Sequence, residues 1–162
     1  MIRILPYILY LFIIAFYRTI LIEPFSIFGA VIDLSALLVV LVGFYKSESI
    51  ALWFGLAAAV IIGSQRLEIM PWEMVVLGAG AVVINQFSFR VNLESLVSRL
   101  LILGAFVLVH QVVASLLVSP NIFFYSLYKA ILPSVIYTVA LGWVFFQFKD
   151  GKVTIQNIKS LF

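Results

Sequence analysis

The residues of this chain that could do chemistry are few, and they lie in a very apolar sequence. The polar pair His110-Gln111 falls near the middle of a long apolar segment, where ionisable side chains are rare and usually functional. Cysteine is absent, which excludes disulfides, a thiolate nucleophile and a sulfur metal site. With a single histidine and carboxylates scattered without ligand spacing, we expect no metal and no cofactor.

Two interpretations of His110 are open from the sequence. In the first, the imidazole belongs to a proton relay or contacts a ligand. In the second, a neutral imidazole donates one hydrogen bond to a neighbouring helix. We favour the second, because a relay needs a chain of ionisable groups. The carboxylates that could supply one all fall near the outer boundary of the apolar segments: Glu23, Asp33, Glu68 and Glu73.

The sequence contains no catalytic motif. A G-x-S-x-G nucleophile elbow and an H-E-x-x-H zinc motif are both missing. Gly78-Ala79-Gly80 lacks the strand and helix context of a nucleotide-binding turn. We therefore expect that the chain is not an enzyme.

Composition indicates an integral membrane protein. Of the 162 residues, 65% are apolar and 10% are charged, whereas soluble domains have about 45–50% apolar and about 25% charged residues. A chain of this length and composition leaves no room for a nucleic-acid module, a Rossmann domain or a large extracellular enzyme. The net charge of +3 indicates sidedness in the membrane rather than a basic groove.

Six apolar segments predict an all-α bundle of about six transmembrane helices, a single domain over residues 1–162 with a short cytoplasmic tail at 149–162. The second and third segments are short for a core of about 30 Å, so four spans with one hairpin is the alternative. Pro133 lies inside the sixth segment and should kink it. The segments cover residues 4–22, 25–45, 49–64, 71–87, 96–118 and 125–148.

Basic residues predict the orientation. If the amino terminus is cytoplasmic, seven Lys and Arg residues fall on the cytoplasmic side and three on the outer side, as the positive-inside rule requires. The outer cations are Arg18, Arg66 and Lys129. Arg18 and Lys129 could each extend to the lipid headgroups or pair with Glu23 or Asp33. The inner ones are Arg3, Lys46, Arg90, Arg99, Lys149, Lys152 and Lys159.

A stripe of small residues runs along the third segment. The residues recur every four positions, so they share one face of a helix where another backbone can approach closely. The stripe is either a contact face for a partner helix or an internal packing face, with residues 78–81 as the facing surface. Its members are Ala51, Gly55, Ala59 and Gly63.

Three motifs resemble the MreD family of bacterial rod shape-determining proteins. Ile32-Asp33-Leu34, with the aliphatic run at 37–42, resembles the opening of that family's second span. The small-residue stripe around Gly55 is similar to its glycine-rich third span. Ile131-Leu132-Pro133-Ser134, followed by Tyr137, is similar to its last span. The chain departs from the family pattern at Ile32, where the family has proline, and at residues 62–64, where the family often has an acidic residue.

The resemblance implies a bacterial inner-membrane scaffold of the cell-elongation machinery for peptidoglycan synthesis. Its partner would be the bitopic protein MreC and, through MreC, a wall-synthesis glycosyltransferase and transpeptidase. The family's six-helix fold is similar to the substrate-binding subunits of energy-coupling-factor transporters. A small-molecule binding subunit is therefore the second hypothesis. The Ala-x-x-x-Ala docking pattern of those subunits is missing, because threonine (Thr19) and not alanine stands four residues after Ala15. The third hypothesis is a small membrane enzyme.

The charge distribution predicts that both termini are cytoplasmic and that the loop at Asn121 lies outside. Topology reporters fused at Phe162 and near Asn121 measure this. We expect a cytoplasmic signal at Phe162 and an extracytoplasmic signal at Asn121. An extracytoplasmic signal at Phe162 would contradict an even number of spans.

Overall fold

The computed structural model describes residues 4–26, 30–64, 66–90 and 95–150. These residues form six helices, which confirms the predicted all-α class. The predicted cytoplasmic tail lies outside the described residues from position 151 onward. The helices are α1 (Leu5–Leu21), α2 (Leu34–Tyr45), α3 (Glu48–Gly63), α4 (Met70–Arg90), α5 (Leu96–Val118) and α6 (Pro120–Lys149).

Three of the six helices are long and apolar enough to cross a membrane, namely α4, α5 and α6. In contrast, α2 has 12 residues and α3 has 16. At about 1.5 Å per residue, both are shorter than a hydrocarbon core of about 30 Å. Six membrane crossings therefore stay a prediction, although the number of helices agrees with it.

The short helix α2 lies at the centre of the bundle. All ten residues of the run 35–44 are buried, and α2 contacts each of the other five helices. The sequence favours this position, because α2 is aliphatic on every face, as expected for a helix surrounded by protein. Because protein surrounds residues 35–44, α2 does not have to match the thickness of the lipid core.

Both ends of α2 have partners for their backbone polar groups. At the amino end, the Asp33 side chain accepts a hydrogen bond from the Ala36 N–H at 3.0 Å. At the carboxyl end, the amide of the buried Asn85 on α4 donates to the carbonyls of Gly43 (2.8 Å) and Lys46 (2.7 Å). These bonds satisfy terminal groups that a helix cannot satisfy by itself.

A π-helical segment ends the first helix and interrupts the last one. In α1 it covers Tyr17–Leu21, and in α6 it covers Leu127–Ile131. The second segment ends two residues before Pro133, which lacks an N–H and whose ring excludes the carbonyl four residues earlier. A change of hydrogen-bond pattern is therefore present next to Pro133, and the kink expected there stays a prediction.

The small-residue stripe of α3 packs against α4. A Cβ atom at Gly55 would lie 2.5 Å from the Leu77 carbonyl oxygen, and one at Gly63 would lie 2.6 Å from the Met70 Cβ. Ala51 and Ala59 are fully buried on the same face. The stripe is therefore an internal packing face, and its interpretation as a contact face for a partner helix is wrong. Residue 78 belongs to the facing surface, as expected.

At the opposite end of the bundle from Asp33, Arg99 joins α5 to the end of α6. Its guanidinium donates to both carboxylate oxygens of Asp150, one of them at 2.9 Å, and to the Tyr45 hydroxyl at 3.2 Å. The guanidinium also lies over the Phe146 ring, 4.9 Å from its centroid. A bidentate pair of this kind fixes the two helices in direction as well as in distance.

We predict that Gly55→Leu destabilises the folded protein. The obstacle is the α4 backbone rather than a side chain, so the cost should reach or exceed the upper end of the roughly 1–3 kcal/mol typical of overpacking. Ala79→Leu is the control, since Ala79 lies on the exposed face of α4. The measurement is thermal unfolding in mild detergent. Equal midpoints for the two variants would show that α3 and α4 do not touch at Gly55.

Candidate functional site

Three buried ionisable side chains form a cluster at the amino end of α2. His110 on α5 lies between two carboxylates, with its Nδ1 at 2.5 Å from Asp33 Oδ2 and its Nε2 at 2.8 Å from Glu73 Oε2. Each of the three residues is 6% exposed. The expectation that His110 has no carboxylate partner and makes one hydrogen bond is therefore wrong.

Asp33 is positioned by its role as the amino-terminal cap of α2. Its Oδ1 accepts from the Ser35 hydroxyl at 2.7 Å and from the Ala36 N–H. Its Oδ2 faces His110 and accepts from the Gln111 amide at 3.2 Å. Four donors thus surround the carboxylate, which offsets the cost of removing its charge from water. Gln111, predicted beside His110, belongs to the site through this bond.

The cluster forms because α2 and α4 begin inside the bundle while α5 continues past them. Glu73 lies in the first turn of α4, and Asp33 precedes α2. Both carboxylates therefore lie at the positive ends of helix dipoles. His110 lies about two turns before the end of α5, which runs in the opposite direction. If all the helices started and ended at the same two levels of the bundle, these three side chains would lie too far apart to meet.

The contacts of His110 set the smallest number of protons that the cluster can hold. A neutral imidazole has one N–H and one lone pair, and a lone pair that faces an ionised carboxylate at this distance is repelled. At least one further proton must therefore lie in the cluster, either on the second ring nitrogen or on a carboxyl group. Asp33, Glu73 and His110 together thus carry at most one net negative charge.

The cluster forms part of the wall of a cavity of about 270 Å³. Two arginines also line this cavity: Arg18 from the π segment of α1, and the exposed Arg66 from the turn between α3 and α4. Asp33 pairs with His110 instead, so the predicted pairing of Arg18 with Asp33 is wrong. Among the described residues, neither arginine forms an ion pair.

The cluster is not arranged as a metal site. Both ring nitrogens of His110 are at hydrogen-bond distance from carboxylate oxygens, so the imidazole directs no lone pair at a cation. Within the described part of the chain, no three His, Asp or Glu side chains are placed to share a metal ion. The arrangement can instead hold and transfer a proton between three groups.

Several residues that carry the MreD resemblance line the cavity: Ile32, Asp33, Leu34 and Ser134. Pro133 and Tyr137 lie on α6, half-buried and outside the cavity lining. Hydrogen bonds join the segment of Asp33 to α6. The Ser134 hydroxyl accepts from the Val31 N–H at 3.0 Å, and the Thr138 hydroxyl accepts from the Asp33 N–H at 2.9 Å.

Sequence reasoning did not connect Glu73, Arg18 and Arg66 with His110. One signal was available, since these residues and Asp33 all map to the same predicted outer boundary. A carboxylate directly before an aliphatic helix, followed by Ser35, is also a typical capping pattern. Neither signal indicates that Asp33 and Glu73 lie at the same depth in the bundle as His110.

We predict that Asp33→Leu destabilises the protein by about 3–5 kcal/mol, because it leaves the buried His110 and the first turn of α2 without an acceptor. The control is Glu23→Leu, an exposed carboxylate at the same end of the bundle, which should change stability by less than about 0.5 kcal/mol. Thermal unfolding in detergent measures both. A stable Asp33→Leu variant would show that the cluster contributes nothing to the fold.

Comparison of the chain with protein-family models, with curated proteins and with solved structures returns no match.

Proposed function

We propose that this chain is a non-catalytic scaffold of the bacterial cell-elongation machinery, the role implied by its resemblance to the MreD family. In this proposal it is a multi-pass protein of the inner membrane with both termini in the cytoplasm. It binds an MreC-like bitopic protein and, indirectly, the wall-synthesis glycosyltransferase and transpeptidase. Membrane lipids cover the rest of its apolar surface.

The observation that carries the proposal is the contact between two motifs that lie about a hundred residues apart. The segment containing Asp33 donates backbone hydrogen bonds to Ser134, in the motif of α6, and to Thr138, directly after it. The motif around Gly55 packs against α4. Motifs that make up one packed structure support a shared fold better than isolated similarities in sequence.

The outward surface of the helices supports a role in binding other membrane components. Large apolar and aromatic side chains are widely exposed, including Trp53 (72%) on α3 and Phe124 (81%) on α6. Because the small-residue stripe is used inside the bundle, a partner helix has to bind one of these aromatic and aliphatic faces. Exposure of such faces to water costs free energy, whereas their contact with lipid or with another transmembrane helix is normal.

The geometry of the cluster supports a non-catalytic role. Acyl-transfer chemistry would require a hydroxyl nucleophile against a free ring nitrogen of the histidine. Both ring nitrogens of His110 face carboxylates, and the nearby Ser35 hydroxyl donates to Asp33. The cluster can share protons between its three side chains and can hold helices together, but it contains no activated nucleophile.

One observation favours a second candidate, a substrate-binding subunit of an energy-coupling-factor-type transporter. The charged cavity beside His110 is a possible ligand site. The docking position in α1 does not support this candidate, because the Thr19 hydroxyl bonds back to the Ala15 carbonyl at 2.9 Å. The two functions require different partners, so identification of the partners distinguishes them.

We predict that the tagged chain, purified in mild detergent, brings down a single-span protein with a periplasmic coiled coil. Mass spectrometry of the purified material identifies the partner. The Gly55→Leu variant, whose fold should be disrupted, is the negative control, and Ala79→Leu should retain the partner. Recovery of ATPase subunits in place of the coiled-coil protein would reject the scaffold and favour the transporter subunit.

Depletion of the chain provides a second readout of the same prediction. Rod-shaped cells that lose an elongation scaffold should become wide or round, and expression of the wild-type chain should restore the rod. If depleted cells keep their width and instead require an added nutrient, the elongation role is excluded.

A further inference from the structure

The cavity beside the cluster has an unbalanced positive charge. The Asp33–His110–Glu73 cluster carries at most one net negative charge by its proton count, whereas Arg18 and Arg66 carry two positive charges. Neither arginine is neutralised by a carboxylate among the described residues. A positive excess that lines a concave site attracts an anion.

Two hydrogen-bond donors in the cavity wall lack acceptors. The Arg18 Nε is shielded from solvent and bonds to no described group. The Tyr17 hydroxyl is shielded as well; its oxygen faces the Ile32 backbone N–H, and its proton has no described acceptor. Both residues line the cavity and belong to the π segment of α1, and such segments are frequent at functional sites. Arginine can only donate, and a buried donor without an acceptor is costly, so a group that binds here has to accept hydrogen bonds.

The size of the cavity limits the acceptor to a compact group. Its volume of about 270 Å³ falls below the roughly 300–1,000 Å³ of sites for drug-sized ligands. A phosphate or a short carboxylate fits, and both match the planar fork of a guanidinium, which binds oxyanions through paired hydrogen bonds.

We propose that the cavity binds a compact oxyanion, a phosphate or carboxylate group, with Arg18 and Tyr17 as its donors and Arg66 at the entrance. The cluster forms the opposite wall of the cavity. Its negative charge repels the anion, which therefore binds on the side of the two arginines. The oxyanion belongs either to a free small molecule or to the headgroup of an anionic lipid. This inference goes beyond the scaffold function and does not depend on it.

The test uses the full chain purified in an uncharged detergent. Inorganic phosphate and acetate represent the free oxyanions, and nanodiscs containing phosphatidylglycerol represent the headgroup, with phosphatidylcholine nanodiscs as the neutral reference. Calorimetric titration measures the free anions. The shift of the unfolding temperature between the two nanodisc types measures the lipid.

We expect saturable binding of at least one of these probes. Arg18→Gln should weaken it by about tenfold or more, since it removes one charge-assisted hydrogen bond. Tyr17→Phe keeps the ring packing and should weaken it less. Arg90→Gln is the matched control, because Arg90 is an exposed arginine outside the cavity, and it should bind like the wild type.

The outcomes distinguish the source of the anion. Saturation by phosphate or acetate supports a free ligand, and stabilisation by phosphatidylglycerol alone supports a headgroup. The proposal is overturned if no probe binds, or if Arg18→Gln and Arg90→Gln weaken binding equally. Partner recovery tests the scaffold separately, so loss of anion binding would leave that function unaffected.

Discussion

The structure depends on the burial of α2, whose residues 35–44 are all buried. A helix leaves unpaired N–H groups at its start and unpaired carbonyls at its end. Asp33 at one end and Asn85 at the other supply partners for these groups. Asp33 directly precedes α2 in the sequence, whereas Asn85 belongs to α4, so α4 has to pack where Asn85 reaches the end of α2.

The same constraint produces the ionisable cluster. Asp33 has to be present to cap α2, and a carboxylate removed from water needs further donors. His110 and Gln111 on α5 provide them. His110 in turn requires an acceptor for its other nitrogen, which Glu73 supplies from the first turn of α4. A structural requirement of one helix thereby generates a proton-sharing site that links three helices.

Close packing of α3 on α4 determines how deep the cluster lies. Small residues at Gly55 and Gly78 allow the two backbones to touch, so α4 lies against α3 along its length. This places the start of α4, with Glu73, beside the start of α2. Large residues on this face would move Glu73 away from His110, so the packing stripe supports the site although it forms no part of it.

The sequence by itself determined the all-α class, the six helices, the apolar character and the stripe of small residues on one face of α3, although not that the stripe faces the inside of the bundle. Each of these depends on local composition and periodicity, which a chain carries without reference to its fold. The sequence also indicated His110 and Gln111 as candidate site residues, because polar side chains are unusual in the middle of an apolar segment. Asp33 was indicated by its place in the family motif.

Only the tertiary structure decided that Asp33, Glu73 and His110 meet. Sequence reasoning assigned depth in the membrane from segment boundaries and therefore placed the two carboxylates near the surface. In the fold, α2 and α4 start inside the bundle and α5 runs past them. The distance between side chains on different helices depends on where each helix starts relative to the others. That relative position is set by packing between helices, and no local sequence pattern encodes it.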